Sequence, residues 1–376
     1  MSSRGRLIGG IINFGFTVAL VCSGTVAVAE LPPLMAPTTT VEAHGISFNI
    51  WYLDIINDSD VGFDDTDTGA AAQESLHAVL DYIADVLNVE GTLDVLVEDS
   101  GLSGNSVPVY ADTLFVNEPG FSNGTAYERI QTGEKAFPSY EEVTIRVDFG
   151  FPINRGAGEP DAEEFDLRSQ LLAELSRALG FFSHASSTGF SVRGGGIHSV
   201  WDSFIVNGAG ENLFGGEPPT FLGTLGDLSN GDLYFSGRNA AAAYAKGGGA
   251  LPPIYAPIFF AGDLSLSRWD ADRLSVEAVA VHTYDTGVVR REFAAFEVGA
   301  LIDLGWANAA PADGSGSGGE GEGEGEGEGE GEGEGEGSGC SGAKLTSVNG
   351  SINLADLLLL GMSLLTLSVV SRNGST

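Results

Sequence analysis

Three stretches of the chain combine β-branched and aromatic residues with partial alternation of apolar and polar positions: residues 46–55, 92–99 and 142–150. This pattern predicts β-strands, because successive side chains of a strand point to opposite faces. Residues 70–89 carry apolar side chains at helical spacing, and a second helix is predicted over residues 165–179. Gly180 supplies the residue that most readily adopts the left-handed turn after such a helix.

The pattern changes after the second helix. Residues 181–253 are rich in glycine, serine and asparagine and have little periodicity, which predicts a region dominated by loops. Strands and helices in the first half and irregular chain in the second indicate an α+β domain with helices on one sheet. We place this globular domain at residues 30–308.

The start of the chain is typical of a secretory signal peptide. Arg4 and Arg6 precede an apolar segment, and the small residues Ala-Val-Ala stand before Glu30. Residues 1–29 are therefore predicted to direct export and to be removed. Since Cys22 lies in this segment, Cys340 would be the only cysteine left, and no intramolecular disulfide could form.

The other end is predicted to hold the protein at a membrane. Residues 309–339 are mostly alternating glycine and glutamate, which predicts a disordered spacer. Residues 340–376 contain Cys340, an apolar segment and Arg372, an order that resembles the C-terminal sorting signals of some bacterial surface proteins. We expect at least transient membrane anchoring at the cell surface. Whether Cys340 is cleaved, lipidated or unmodified stays open.

The charge of the chain argues against one class of partner. Fifty-two acidic residues against 17 basic ones give a net charge of −35. Such a surface repels nucleic acids and anionic lipid headgroups. Nucleic-acid binding is therefore not expected.

The segment LLAELSRALGFFSH, residues 171–184, contains the remains of a chemical motif. With histidine at positions 173 and 177 it would be H-E-x-x-H, in which two imidazoles one helical turn apart bind zinc. The glutamate of that motif acts as general base on the metal-bound water. Here Glu174 is present, but Ala173 and Arg177 occupy the ligand positions.

The sequence on both sides extends the likeness. Before the helix stand GFDDTDTG, GTLDVLV, GFSNGTAYERIQTGEKAF and VTIRVDFGF; after it stand SVWDSFIV, LYFSGRNA, PPIYAP, LSLSRWD and GVVRREFAAFEVGALIDLGW. Together these segments resemble secreted bacterial zincin-type zinc metalloproteases, akin to leishmanolysin-like enzymes. The resemblance implies a zincin-like fold with a mixed sheet, an active-site-type helix and a loop-rich C-terminal half. It also implies zinc ligands at positions 173, 177 and 268, Glu174 as general base and Ala280 at the position of a turn methionine.

All three implied ligand positions hold residues that cannot bind zinc: Ala173, Arg177 and Arg268. A divalent ion about 4 Å from one guanidinium loses roughly 8 kcal/mol at an effective dielectric near 20. We therefore expect no cofactor, a vestigial Glu174, and pairing of Glu174 with Arg177 and Arg268. The competing reading of E-x-x-R is a solvated ion pair worth about 0.3–0.5 kcal/mol.

These observations predict an exported, surface-tethered pseudo-metalloprotease that binds a peptide or protein in the former substrate cleft or serves as a scaffold. The alternative is an active metalloendopeptidase with a rearranged zinc site, in which His184, His198 and His282 are the candidate ligands and Glu174 the general base. Asp202, in SVWD, is expected to have a structural hydrogen-bonding role. Two further histidines are predicted to be structural or exposed: His77 and His44.

Overall fold

The computed structural model describes residues 36–99, 104, 107–283 and 285–311. These residues belong to one compact unit, Met1–Ser317. The predicted signal peptide, nearly all of the spacer and the segment around Cys340 lie outside the described residues. No helix in the described part of the chain is both long and apolar enough to cross a membrane.

The first half contains the longer elements, which follow one another as β1 (Thr39–Ala43), β2 (Ile46–Tyr52), α1 (Leu53–Asn57), α2 (Gly69–Leu87), β3 (Gly91–Asp99), β4 (Val109–Thr113), β5 (Gly120–Ser122), α3 (Thr125–Thr132), β6 (Val143–Val147), β7 (Ile153–Asn154), β8 (Phe165–Asp166) and α4 (Leu167–Ala178). The second half contains β9 (Ile197–Ser199), β10 (Ile205–Asn207), β11 (Phe214–Gly215), β12 (Thr220–Phe221), β13 (Leu233–Phe235), α5 (Arg238–Lys246), β14 (Pro253–Ile254) and α6 (Ala295–Asp303).

The main sheet has five strands in the order β1-β2-β3-β6-β4. The inner pairs β2–β3 and β3–β6 are parallel, whereas β1 and β4 run antiparallel to their neighbours at the two edges. The domain is thus α+β with a mixed sheet, as predicted. Apolar side chains of the central strands, among them Ile50, Val95 and Ile145, are buried in its core.

The predicted strands and helices of the first half are present, but several boundaries differ. The strand predicted over residues 142–150 ends at Val147, and the helix predicted from residue 165 begins at Leu167, because Phe165–Asp166 forms β8. The strand predicted over residues 46–55 ends at Tyr52, and Leu53–Asn57 forms the short helix α1. Buried Asp54 accepts a hydrogen bond of 2.9 Å from Phe63 N, and Asp58 ends the helix in a left-handed conformation. This contact spans nine residues of the sequence, and the local alternation of apolar and polar positions does not indicate it.

The second half is irregular, as predicted, but it is not free of regular structure. Each of its described strands has only two or three residues. The prediction that residues 181–253 are mainly loop overlooked α5, whose alanine-rich sequence RNAAAAYAK lacks a clear apolar stripe. α5 is held by packing against α6 rather than by its own periodicity.

Helix α4 is buried on almost every side, since it contacts β4, β8 and α2. Its first turn is capped by Asp166, whose Oδ2 accepts hydrogen bonds from Ser169 N at 2.9 Å and Ser169 Oγ at 2.6 Å. The chain leaves the helix through Gly180, with φ of +114°. A residue with a Cβ is strained there, which explains the glycine.

Aromatic side chains form the core of the second half. Trp201 contacts Phe235 and Trp269 at ring-centroid distances of 4.6 and 4.9 Å, and Phe181 lies 5.8 Å from Trp269. Because Trp269 is anchored in this cluster, the residue before it, Arg268, is brought against α4.

Candidate functional site

Glu174 and Arg268 form a buried ion pair, each being 1% exposed. Arg268 Nη2 donates a hydrogen bond to Glu174 Oε1, and Arg268 Nη1 donates one of 2.7 Å to the carbonyl oxygen of Ala173. The guanidinium of Arg268 is thereby fixed by two consecutive residues of α4. The predicted pairing of these two side chains is confirmed.

Arg177 is the second cation at this carboxylate. Its Nε lies 4.0 Å from Glu174 Oε2, and its Nη1 donates a hydrogen bond of 2.9 Å to the carbonyl oxygen of Asp263. The guanidinium carbon stands 4.7 Å from the ring centre of Phe182 and 5.4 Å from that of Tyr110. At 2% exposure this is no solvated surface pair, so the competing reading of E-x-x-R is wrong.

A pocket of about 310 Å³ opens beside these charges, and it is lined by Val107, Tyr110, Glu174, Arg177, Ala261, Gly262, Asp263, Leu264 and Arg268. Burial raises the pKa of Tyr110, and the Asp112 carboxylate raises it further, while Arg177 lowers it. Burial also raises the pKa of Asp112, against the opposing effects of the Thr113 N–H and of Arg177 and Arg193. Neither Tyr110 nor Asp112 belongs to a recognisable motif, so neither was predicted from the sequence.

The residues at the implied ligand positions do not fit a zinc ion. Ala173 offers no donor atom, and the guanidinium groups of Arg177 and Arg268 have only N–H donors and no acceptor lone pair. Both guanidinium groups are buried and turned toward Glu174, so their charge stands beside the carboxylate where a metal-bound water would be activated. The donor set is that of a salt-bridge cluster.

His184 lies in an apolar slot close to this cluster. Its ring meets the edges of Phe115 and Phe182 at centroid distances of 4.4 and 5.2 Å, and neither ring nitrogen makes a hydrogen bond within the described part of the chain. Burial lowers the pKa of His184 to about 4, although Asp202 acts in the opposite direction. His184 is therefore neutral near pH 7.

Asp202 organises the loop that carries His184. It accepts hydrogen bonds from Ser183 Oγ, from the backbone N–H of His184 at 3.1 Å and from that of Ser199 at 3.0 Å. Its Oδ2 also lies 3.2 Å from His198 Nδ1. These contacts agree with the structural role predicted for Asp202, and they commit one nitrogen of His198 to a carboxylate.

His282 occupies a different environment. It stacks on Tyr255 at 3.8 Å with an interplanar angle of 5°, and its Nε2 is 4.0 Å from Asp272 Oδ2. His282, Asp272 and Asp270 form one of two groups among the described residues that could hold a metal ion. Asp58, Asp60 and Asp64 form the other group. Neither group contains Glu174, His184 or His198, so the rearranged three-histidine site is not assembled in the described part of the chain.

The remaining histidines take structural or exposed positions, as predicted. His77 is half-buried, and its Nε2 lies 3.1 Å from the hydroxyl oxygen of Tyr52. His44 is exposed and stands in the turn between β1 and β2 with φ of +41°.

Glu297 of α6 is a structural residue that sequence reasoning missed. Fully buried, it accepts hydrogen bonds from Trp269 Nε1 at 3.1 Å and from the N–H groups of Ala280 and Ala294, each at 2.9 Å. Burial raises its pKa, and these donors oppose the rise. Glu297 thus ties Ala280 to the tryptophan beside Arg268. An acid within the apolar segment FAAFEVGALI was the available signal.

Comparison of the chain with protein-family models, with curated proteins and with solved structures finds no match in any of the three.

Proposed function

We propose that this protein is a zincin-like domain that has lost zinc catalysis. It binds peptides or proteins in a cleft beside α4, which consists of the pocket next to Glu174 and the edge strand β4. In this proposal Glu174 is the former general base, and Arg177 and Arg268 stand where two of the zinc ligands stood. The protein acts at the outer surface of the cell, exported by residues 1–29 and held by residues 340–376.

The observation that carries the proposal is the buried pairing of Glu174 with Arg268. A general base must reach a water molecule or substrate with its free carboxylate. Here one carboxylate oxygen is bound by Arg268 and the other faces Arg177 Nε at 4.0 Å. Positive charge surrounds the carboxylate, which favours a binding role over proton abstraction.

The position of β4 supports a peptide as the ligand. This strand is an edge of the main sheet, with β6 as its only strand neighbour among the described strands, and its Tyr110 lines the pocket. Edge strands recognise extended peptides by adding them to the sheet through backbone hydrogen bonds, while adjacent pockets select side chains. The cleft combines both features.

The proposal is tested on the full chain by metal analysis, by a casein cleavage assay with and without chelator, and by binding to a library of short peptides. We expect no chelator-sensitive cleavage and saturable binding of a subset of peptides. Ala261→Trp, which fills the pocket, should abolish that binding. The matched control Ala209→Trp, in an exposed turn, should leave it unchanged.

Two results would contradict the proposal in different ways. Stoichiometric zinc with chelator-sensitive cleavage would establish an active metalloendopeptidase. Absence of any peptide binding would instead leave the domain as a surface scaffold.

A further inference from the structure

We infer that the pocket beside Glu174 binds the free C-terminal carboxylate of a peptide that ends in an apolar residue, with Arg177 as the anchor. The inference rests on the proposed peptide-binding function and specifies the class of ligand. Its starting point is the incomplete hydrogen bonding of Arg177.

Arg177 is only 2% exposed, yet not all of its N–H groups make hydrogen bonds. Nη1 donates to the carbonyl oxygen of Asp263, whereas Nε and Nη2 make no hydrogen bond within the described part of the chain. Leaving charged donors unsatisfied in a buried place is costly, and native structures rarely do so without a water or ligand in reach. Nε and Nη2 are buried in the wall of the pocket that Arg177 lines, so a ligand supplies their acceptors when the guanidinium turns from Glu174 toward the pocket.

The charges of the pocket favour an anion. Its buried charged side chains are Arg177, Arg268 and Glu174, which leaves one positive charge unbalanced. Arg268 is already held by Glu174 and by the carbonyl oxygen of Ala173. The excess positive charge of the lining is therefore that of Arg177. Asp263, the other acidic residue of the lining, is exposed to solvent, and half-buried Asp112, which also interacts with Arg177, lies outside the lining.

The remainder of the lining determines what kind of anion fits. Val107, Ala261, Leu264 and the ring of Tyr110 present mostly apolar surface. Arginine recognises a carboxylate through two parallel N–H···O bonds, which its Nε and Nη2 atoms can provide together. A singly charged carboxylate on an apolar residue matches this lining, whereas the net charge of −35 opposes polyanions.

The surroundings of the pocket place the rest of the peptide. At about 310 Å³, the pocket lies at the lower end of the range for small ligands, which is about 300–1,000 Å³, and so suits a terminal residue. Preceding residues of the ligand can run along the edge strand β4. Ile258 and Phe259 are exposed apolar side chains, 80% and 87% accessible, and they precede the lining segment 261–264 in the sequence.

The test compares two forms of one N-acetylated pentapeptide that ends in phenylalanine, with a free or an amidated C-terminus. Binding to the full chain is measured by calorimetry, with octanoate as a third probe. Because charged hydrogen bonds to the carboxylate are lost in the amide, we expect the acid to bind about ten- to a hundredfold more tightly. Octanoate should bind far more weakly than the peptide acid.

Variants assign the effect to Arg177. In Arg177→Met the acid and the amide should bind equally, and in Arg177→Lys the preference should fall at least about fivefold because the two-pronged contact is lost. Arg146→Met, which removes a half-exposed arginine of β6, is the matched control and should retain the full preference. Circular dichroism verifies folding, and the comparison of acid with amide on the unmodified chain needs no variant.

Equal affinity of the unmodified chain for acid and amide would overturn the inference while leaving peptide binding intact. Octanoate binding as tightly as the peptide acid would overturn the assignment of a peptide terminus. Binding of neither peptide form would count against the inference and, if the library also fails, against the proposed function itself.

Discussion

Arg268 and Glu174 are 94 residues apart in sequence, and their side chains meet in the interior beside α4. The contact joins the two halves of the domain, because α4 closes the first half and Arg268 follows the loop-rich second half. The Glu174 carboxylate is thus neutralised by side chains of the chain itself.

Glu174→Gln should destabilise the domain by about 3 kcal/mol, because removal of one partner leaves the buried Arg268 charge uncompensated. The free energy of unfolding from denaturant titration measures the loss. Glu98→Gln, which breaks the more exposed pair with Arg146, is the matched control and should cost about 0–1 kcal/mol. An equal effect of the two substitutions would contradict a structural role for the Glu174 pair.

Introducing three imidazoles tests the zinc-ligand positions that the resemblance implies. The combined variant Ala173→His, Arg177→His and Arg268→His is expected to bind about one zinc ion per chain, since three histidines and a water complete a tetrahedral site. Metal analysis after dialysis measures the stoichiometry. The combination Ala173→Ser, Arg177→Ser and Arg268→Ser removes the arginines without adding ligands and should bind none; equal zinc in both variants would refute the assigned positions.

The stability of the domain should fall between about pH 6.5 and pH 4 through His184. Its folded pKa of about 4 lies below the ordinary 6.5, so in this window the unfolded chain binds a proton that the folded one does not. Linkage gives a loss of up to about 3 kcal/mol as the pH falls. Unfolding titrations of His184→Leu should show a shallower dependence by one proton, whereas those of His44→Asn, which changes an exposed histidine, should not. Identical curves for the unmodified chain and His184→Leu would exclude this role.

Asp202→Ala should cost at least about 3 kcal/mol, because it removes the acceptor of several buried donors at once. Asp202→Asn should cost less, since the amide retains one acceptor oxygen. The matched control is Asp227→Ala, which removes an exposed turn acceptor for Thr224 and should cost about 1 kcal/mol. Thermal unfolding ranks the three variants, and a cost for Asp202→Ala no greater than that of the control would show that the network is not needed.

The sequence alone determined the features that depend on near neighbours in the chain. The apolar spacing predicted α2, the partial alternation predicted β3, and the glycine predicted the end of α4. Each of these patterns depends on local backbone preference or on a single buried face, and the structure has all three features. The helical register also placed Glu174 and Arg177 on one side of α4. The mixed strand order could not be read from spacing, and it was expected only through the resemblance.

Only the tertiary structure decided which partners those side chains meet. The packing of Trp269 against Trp201 and Phe181 sets the position of Arg268. Helix α5 is stabilised by its packing against α6. The sequence also did not indicate that His282 lies apart from the loop that carries His184 and His198. Contacts between residues far apart in sequence depend on how complementary surfaces pack, and local periodicity does not encode that packing.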